Sequence, residues 1–286
     1  MSKKIILCAD STCDLGEELI KRYDVHTIPY HISLEDKDYL DSVTITTGEL
    51  YQAFYDRKVL PKTAAINIGD FNDFWKPFLD EGCEIIHINL GSAISSTYRN
   101  ACLAAEEFEG VYPVDSQNLS TGMGHVVIEA AKLIEQGLEA KEIAEKLKEI
   151  TTRVHSSFVL NTLEFMHAGG RCSTIAALGA NLLKLKPCIV VDNLNGSAMG
   201  VGKKYRGELG GALVAYTKDQ LNKYDDILTD KIFITHTDID PQYVELVRKT
   251  INETMQFDEI FETSASCTIG SHCGPATLGI LFMTKS

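Results

Sequence analysis

Two hydrophobic rhythms alternate along this chain: short continuous apolar runs, and longer stretches with helical spacing. Residues 3–9, 25–32, 85–90 and 111–114 are runs rich in Ile, Val and Leu, as expected of strands buried on both faces. Between and after them, 14–23, 47–57, 71–80, 95–108 and 121–136 space apolar residues three and four apart, the pattern of amphipathic helices. This alternation predicts a largely parallel sheet flanked by helices. The clearest helical stripe is at 139–153, with Ile143, Leu147 and Ile150 on one side and Lys141, Glu145, Lys148 and Glu149 on the other.

The pattern changes near residue 155. A strand at 156–160 is followed by Gly169-Gly170-Arg171 and an Ala/Leu-rich helix at 174–183. Next come a strand at 187–192, a turn at Asn193-Leu194-Asn195-Gly196 and a strand at 197–203, and the Asn-Gly step predicts a hairpin. A helix at 206–223, a strand at 231–235, a helix capped by Asp240 with Pro241 at its first position, and strands at 258–263 and 277–283 complete the chain. The fold class is therefore α/β in two domains: 1–155 with a largely parallel sheet, and 156–286 with a mixed sheet.

The chemistry gathers where strands end. Asp10-Ser11-Thr12 closes the first apolar run, Gly91-Ser92-Ala93-Ile94-Ser95-Ser96-Thr97 follows the 85–90 run, and Asp115-Ser116 follows the next. Open α/β sheets bind ligands at such an edge, and hydroxyls and helix N-termini there suit a carboxylate or phosphate. The same residue types also serve as helix caps, as Asp14 would for the helix after it.

The 286 residues exceed what a single core needs, and 44% hydrophobic with 23% charged is ordinary globular composition. A net charge of −13 argues against a nucleic-acid partner, which would require clustered Lys and Arg. No apolar run approaches the roughly 20 residues of a membrane span. The eight cysteines form no CxxC pair, so no metal site is expected, and they read as reduced, mostly buried thiols of a cytoplasmic protein. Cys172 and Cys273, in glycine-rich segments, are the candidates for reactivity.

Over nearly its full length the sequence resembles the DegV family of bacterial fatty-acid-binding proteins. The resemblance is carried by Ala9-Asp10-Ser11-Thr12-Cys13-Asp14, Pro61-Lys62-Thr63, Asn89 to Tyr98, Val114-Asp115-Ser116 and Asn161-Thr162-Leu163. It continues through Gly169-Gly170-Arg171, Lys184-Leu185-Lys186-Pro187, Lys203 to Gly207 and Gly270-Ser271-His272-Cys273-Gly274-Pro275. It implies a protein that encloses one long-chain fatty acid, with the tail in an apolar tunnel and the carboxylate near the domain interface. It also implies a lipid-presenting subunit of a fatty acid kinase: a separate kinase protein, supplying ATP and metal, phosphorylates the carboxylate for phospholipid synthesis. Such a subunit is not itself an enzyme and needs no cofactor, and this sequence holds no GxxxxGK[ST] loop.

By the same resemblance, Thr63, Ser95, the backbone amide of Ser96 and His272 contact the carboxylate, and Arg171 contacts the kinase or a phosphate. Phe158, Leu178, Leu182 and Ile189 are the candidate tunnel residues. Burying about sixteen carbons at roughly 0.8 kcal/mol each bounds the tail's contribution near 12 kcal/mol, far above that of a few head-group hydrogen bonds. Some positions depart from the family pattern. Ser96 stands where relatives usually have Gly, and Ala64-Ala65-Ile66 where many have Ser-Gln-Pro, while Cys172, Cys273 and Ala276 alter their motifs.

Other readings remain open. A lipid store or sensor would bind the acid without a kinase, a phosphotransferase would carry phosphate on His272 or His236, and a hydrolase would use Ser95. The hydrolase lacks a GxSxG elbow. Lys203-Lys204-Tyr205-Arg206 is placed either at a kinase or transient membrane contact, or as a solvated strand end.

Overall fold

Alternate residues of the first strand, β1 (Ile5–Asp10), enter different cores. Ile6 and Cys8 join one buried cluster and Leu7 and Ala9 another, so the run is apolar on both faces. The computed structural model describes residues 3–175 and 185–286. After β1 come α1 (Gly16–Arg22), β2 (Val25–Ile28), β3 (His31–Leu34), β4 (Lys37–Leu40), α2 (Thr47–Arg57), β5 (Lys62–Ala64) and α3 (Ile68–Asp80). Next are β6 (Glu84–Asn89), α4 (Thr97–Ala105), β7 (Val111–Asp115), α5 (Ser120–Glu135), α6 (Ala140–Ile150), β8 (Val154–Val159) and α7 (Glu164–Gly169). The chain closes with β9 (Leu185–Asp192), β10 (Ala198–Arg206), α8 (Leu209–Leu221), β11 (Lys231–His236), α9 (Pro241–Thr254), β12 (Glu259–Ser264), α10 (Cys267–Cys273) and β13 (Leu278–Met283).

Strands β2-β1-β6-β7 form a wholly parallel sheet. A second sheet, β10-β9-β8-β13-β11-β12, is mixed, with only β11 and β12 parallel. Helices α8 and α9 cover one face of it. Helix α5 is buried against both sheets: Met123, Val126 and Val127 share a core with Leu7 and Ile86 of the first and Phe233 and Leu281 of the second.

Two local expectations change. The 25–32 run is not one strand: Pro29 separates β2, in the parallel sheet, from β3, which pairs instead with β4 and β5 in a small antiparallel sheet. Proline offers no N–H to continue the ladder. The expected helix at 174–183 falls almost entirely outside the described residues, as do Leu178 and Leu182. The Asn-Gly hairpin joins β9 to β10, and its tip docks on the loop after β6, where Ala93 N donates to Gly196 O at 2.8 Å.

Candidate functional site

The conspicuous residues at the strand ends are used for construction. Asp10 is fully buried and accepts from Asn89 Nδ2 (3.0 Å) and Leu90 N (2.7 Å), with His87 Nε2 at 3.0 Å. Trp75 Nε1 donates to His87 Nδ1 at 2.9 Å, which puts the imidazole proton on Nε2, facing Asp10. Asp14 accepts from Ser266 N (2.9 Å) and Ser120 Oγ (2.5 Å), and Asp41 accepts from Cys267 N (2.7 Å), Thr268 N (3.3 Å) and Ser11 Oγ (3.0 Å). These carboxylates satisfy the amide groups that α10 leaves open at its start, and so anchor that helix.

What they anchor is one wall of a cavity of about 130 Å³. Thr63 on β5, Ser95 and Ser96 before α4, Arg171 after α7 and His272 on α10 all line it. Five residues scattered over more than two hundred positions thus meet. Tyr30, Thr268, Ile94, Leu119, Met199 and Ile269 line it as well. Of these six, Ile94 falls inside the Gly91 to Thr97 segment noted in the sequence and Thr268 and Ile269 directly precede the Gly270 segment, while Tyr30, Leu119 and Met199 belong to no motif.

Thr63 Oγ1 lies 2.9 Å from His272 Nε2. The other ring nitrogen, Nδ1, is buried and has no hydrogen-bond partner among the described residues. A bare lone pair is cheaper to bury than an orphaned N–H, so the proton belongs on Nε2 and is donated to Thr63. The threonine hydroxyl then keeps its own hydrogen for a third group. Burial, reinforced by the Arg171 charge, lowers the His272 pKa to about 4, so the ring is neutral at physiological pH.

Glycine makes this contact possible, since a Cβ on Gly169 would overlap His272 Nδ1. The next residue, Gly170, ends α7 in the left-handed region at φ 66°. Arg171 turns back from there, donating through Nη1 to Gly169 O (2.7 Å) and through Nε to Ile94 O (3.4 Å). On the far side, the hydroxyls of Tyr30 and Ser95 are 3.0 Å apart, and Ser95 Oγ accepts from Thr97 N at 3.2 Å. Ser95 therefore does cap α4 while also lining the cavity. Ser96 is exposed at the N-cap position and makes no capping bond with its side chain.

The electrostatics are one-sided. Among the described residues no carboxylate lines the cavity, and Arg171 is its one charged residue. Burial drives the Tyr30 pKa well up, so the phenol stays a donor. Hydroxyl donors, the N-terminus of α4 and one guanidinium converge on a space walled elsewhere by Leu90, Ile94, Leu119, Met199 and Ile269. This arrangement suits an anionic head group carrying an apolar body.

Of the candidate tunnel residues, Phe158 lines a second cavity that shares Leu119, Ile269 and Cys273 with the first. Ile189 is fully buried in the core around Phe158 and lines neither cavity. Burial raises the Cys273 thiol to about 12, which removes it as a nucleophile. Cys172 is buried beside Thr174.

An α/β scaffold with a mixed second sheet and an anion-and-apolar cavity beside α10 defines a ligand-binding class of protein. Residues 4–285 match the model of the family described as "Uncharacterised protein, DegV family". The chain is 32% identical to a DegV domain-containing protein of Clostridium acetobutylicum, over 99% of both chains. It superposes on a solved structure from Thermus thermophilus with a TM-score of 0.85, 26% identity and coverage of 98% of this chain and 99% of that one. That structure is described as fatty acid binding of a DegV family protein. A fatty acid binding DegV family protein from Streptococcus agalactiae shares the fold at a TM-score of 0.87, with 22% identity and full coverage of both chains. The chain belongs to the DegV family.

Proposed function

We propose that this protein binds a long-chain fatty acid and presents its carboxylate to a separate ATP-dependent kinase, which forms an acyl phosphate for phospholipid synthesis. The observation that carries the reading is the convergence of Thr63, Ser95 and Arg171 on a cavity that has an apolar wall and, among the described residues, no acidic lining. The carboxylate accepts from the Thr63 hydroxyl that His272 orients and from the start of α4, and Ser95, whose hydroxyl donates to Thr97 Oγ1 at 3.0 Å, turns from that partner to add its bond. Arg171, exposed at the mouth, meets the kinase or the phosphate it transfers. The description of the Thermus thermophilus relative as fatty acid binding supports the ligand class.

A pocket of about 130 Å³ is close to the roughly 150 Å³ that accommodates a benzene ring, so it seats the head group and first carbons. The rest of the chain must part the apolar packing beyond. Mass spectrometry of the protein purified from a bacterial host, under native conditions and after organic extraction, tests the reading. One fatty acid per chain is expected. A chain that stays empty after incubation with saturated and unsaturated acids overturns it. Hydroxylamine-trapped acyl phosphate, formed only when the loaded protein, ATP and a fatty acid kinase are combined, separates presentation from storage.

A further inference from the structure

A third cavity, an open cleft of about 460 Å³, lies at the start of α10, between the first turn of α1 and the 41–47 loop that leads into α2. Its volume falls within the roughly 300–1,000 Å³ of small-molecule sites. Its charge is the reverse of the head-group pocket's: Asp14, Glu17 and Asp41 line it and, among the described residues, no Lys, Arg or His does. Leu15, Ile20, Pro29, Val43, Ile45 and Ala265 supply carbon walls, and Val43 stands 68% exposed.

The two buried carboxylates of the cleft differ in what they have left to accept. Asp41 is saturated, with Cys267 N (2.7 Å) and Ser42 Oγ (2.9 Å) on Oδ1 and Ser11 Oγ (3.0 Å) and Thr268 N (3.3 Å) on Oδ2. Asp14 takes one donor on each oxygen, Ser266 N on Oδ1 (2.9 Å) and Ser120 Oγ on Oδ2 (2.5 Å), and so keeps a lone pair on each. Both of those partners are neutral, and a buried carboxylate without a counter-charge is costly. Burial accordingly holds the Asp14 pKa up at about 7. Ser266 carries an independent sign of the same vacancy: it is only 6% exposed, it lines the cleft, and its Oγ has no hydrogen-bond partner among the described residues. The bond from its amide to Asp14 keeps that hydroxyl near the carboxylate. We propose that the cleft binds a small aliphatic amine, whose ammonium donates to Asp14, Ser266 Oγ and Glu17 and whose carbon chain lies on Leu15, Ile20 and Val43. An ammonium brings three donors and no acceptor, which matches three groups that have lone pairs to spare. A metal ion matches less well, since among the described residues no three metal-ligating side chains are grouped. The site stands apart from the fatty-acid reading and does not depend on it.

Isothermal titration calorimetry with hexylamine, run above the Asp14 pKa, tests the assignment. One saturable site per chain is expected. Hexanol, which lacks the charge, and tetramethylammonium, which lacks the N–H donors, are expected to give no saturable heat. Asp14→Asn should weaken hexylamine about tenfold, the loss of one charge-assisted hydrogen bond, and Val43→Ser about threefold, through lost apolar contact. Val43 is exposed, so its replacement keeps the fold and carries the test if Asp14→Asn does not fold. Hexylamine that fails to saturate, or that binds both variants as tightly as the parent, overturns the site. Equal binding of tetramethylammonium overturns it as well, because attraction to the net charge of −13 then accounts for the uptake. Tighter binding of Nα-acetyl-lysine amide than of hexylamine overturns the free amine as occupant in favour of a lysine on a protein partner.

Discussion

At the scale of single residues, hydrogen-bond direction separates the groups available to a ligand from those the protein consumes. Thr63 receives the His272 proton and keeps a hydroxyl hydrogen to give, whereas Asp10 and Asp41 spend their oxygens on neighbouring donors. Thr63→Ala therefore removes one charge-assisted hydrogen bond, worth roughly 1.5–3 kcal/mol, out of a binding energy dominated by the tail. Acyl phosphate formation is expected to fall by tenfold or more while most of the lipid is retained after purification, and loss of lipid with turnover intact would contradict this. Asp14 behaves differently, because burial raises its pKa from the usual 3.8 to about 7. Ionisation thus costs more in the folded than in the unfolded state, so its contribution is most favourable below pH 4 and declines as pH rises from 4 to 7. Asp14→Asn keeps an acceptor for Ser266 N and an amide that can donate to the Ser120 hydroxyl. The variant is expected to gain on the order of 3 kcal/mol over the parent at pH 8, and little at pH 4, in urea melts at the two pH values. None of this directionality was legible in the sequence. Asp10 at the end of β1 and Thr63 in the middle of β5 are both polar residues of short strands, and the family resemblance rather than any spacing singled out Thr63.

At the scale of elements, legibility followed length and local chemistry. Helix α2 was read at its observed limits, and it starts with a capping box in which Thr46 and Glu49 satisfy each other's backbone amides. The 139–153 stripe became α6, with Ile143, Leu147 and Ile150 buried as expected. The short elements that build the site escaped. Strand β5 has three residues, too few for a period of two to show, and α10 has seven, including a glycine and two threonine or serine hydroxyls that look like loop. Both are held by partners distant in sequence, β5 by β3 and α10 by Asp14 and Asp41, and no local signal reports such partners. The glycine pair that ends α7 was visible, but its purpose, room for His272, was not. Gly169→Ala is accordingly expected to push His272 off Thr63 and lower fatty-acid affinity about tenfold, the loss of about one oriented hydrogen bond, with helical content by circular dichroism unchanged. Gly170→Ala strains only the left-handed cap, at about 1 kcal/mol of stability, and should leave affinity near the parent's. Equal effects of the two on affinity would remove the special role given to Gly169.

At the scale of the whole molecule, the proposed division near residue 155 separates two sheets but does not separate two cores. Helix α5 belongs by sequence to the first unit, yet His125 Nε2 donates to Leu281 O (3.1 Å) and stacks edge-on against Phe233, both in the second sheet. Lys231 at the start of β11 is buried and reaches back to Glu129 of α5 at 3.2 Å. Burial and the Lys231 charge lower the His125 pKa to about 4, so this ring too is neutral in the folded protein. The change in apolar pattern near residue 155 coincides with the passage from the parallel to the mixed sheet, but a helix that is apolar on both sides reads in sequence only as a more hydrophobic helix. The consequence concerns cooperativity. Separating the units would expose Met123, Val126 and Val127 on one side and Phe233 and Leu281 on the other, all of which are buried in a single cluster. At roughly 1.5–3 kcal/mol per large side chain, that exposure rivals the entire stability of an ordinary domain. Calorimetry is therefore expected to give one transition rather than two, with the calorimetric and van't Hoff enthalpies in agreement. The isolated fragment 1–155 should bind a hydrophobic dye and lack near-ultraviolet dichroism. Two resolved transitions, or a folded fragment, would mean that α5 docks on the second sheet as a separable contact. The ligand cavity would then lie across a hinge rather than inside a single cooperative unit.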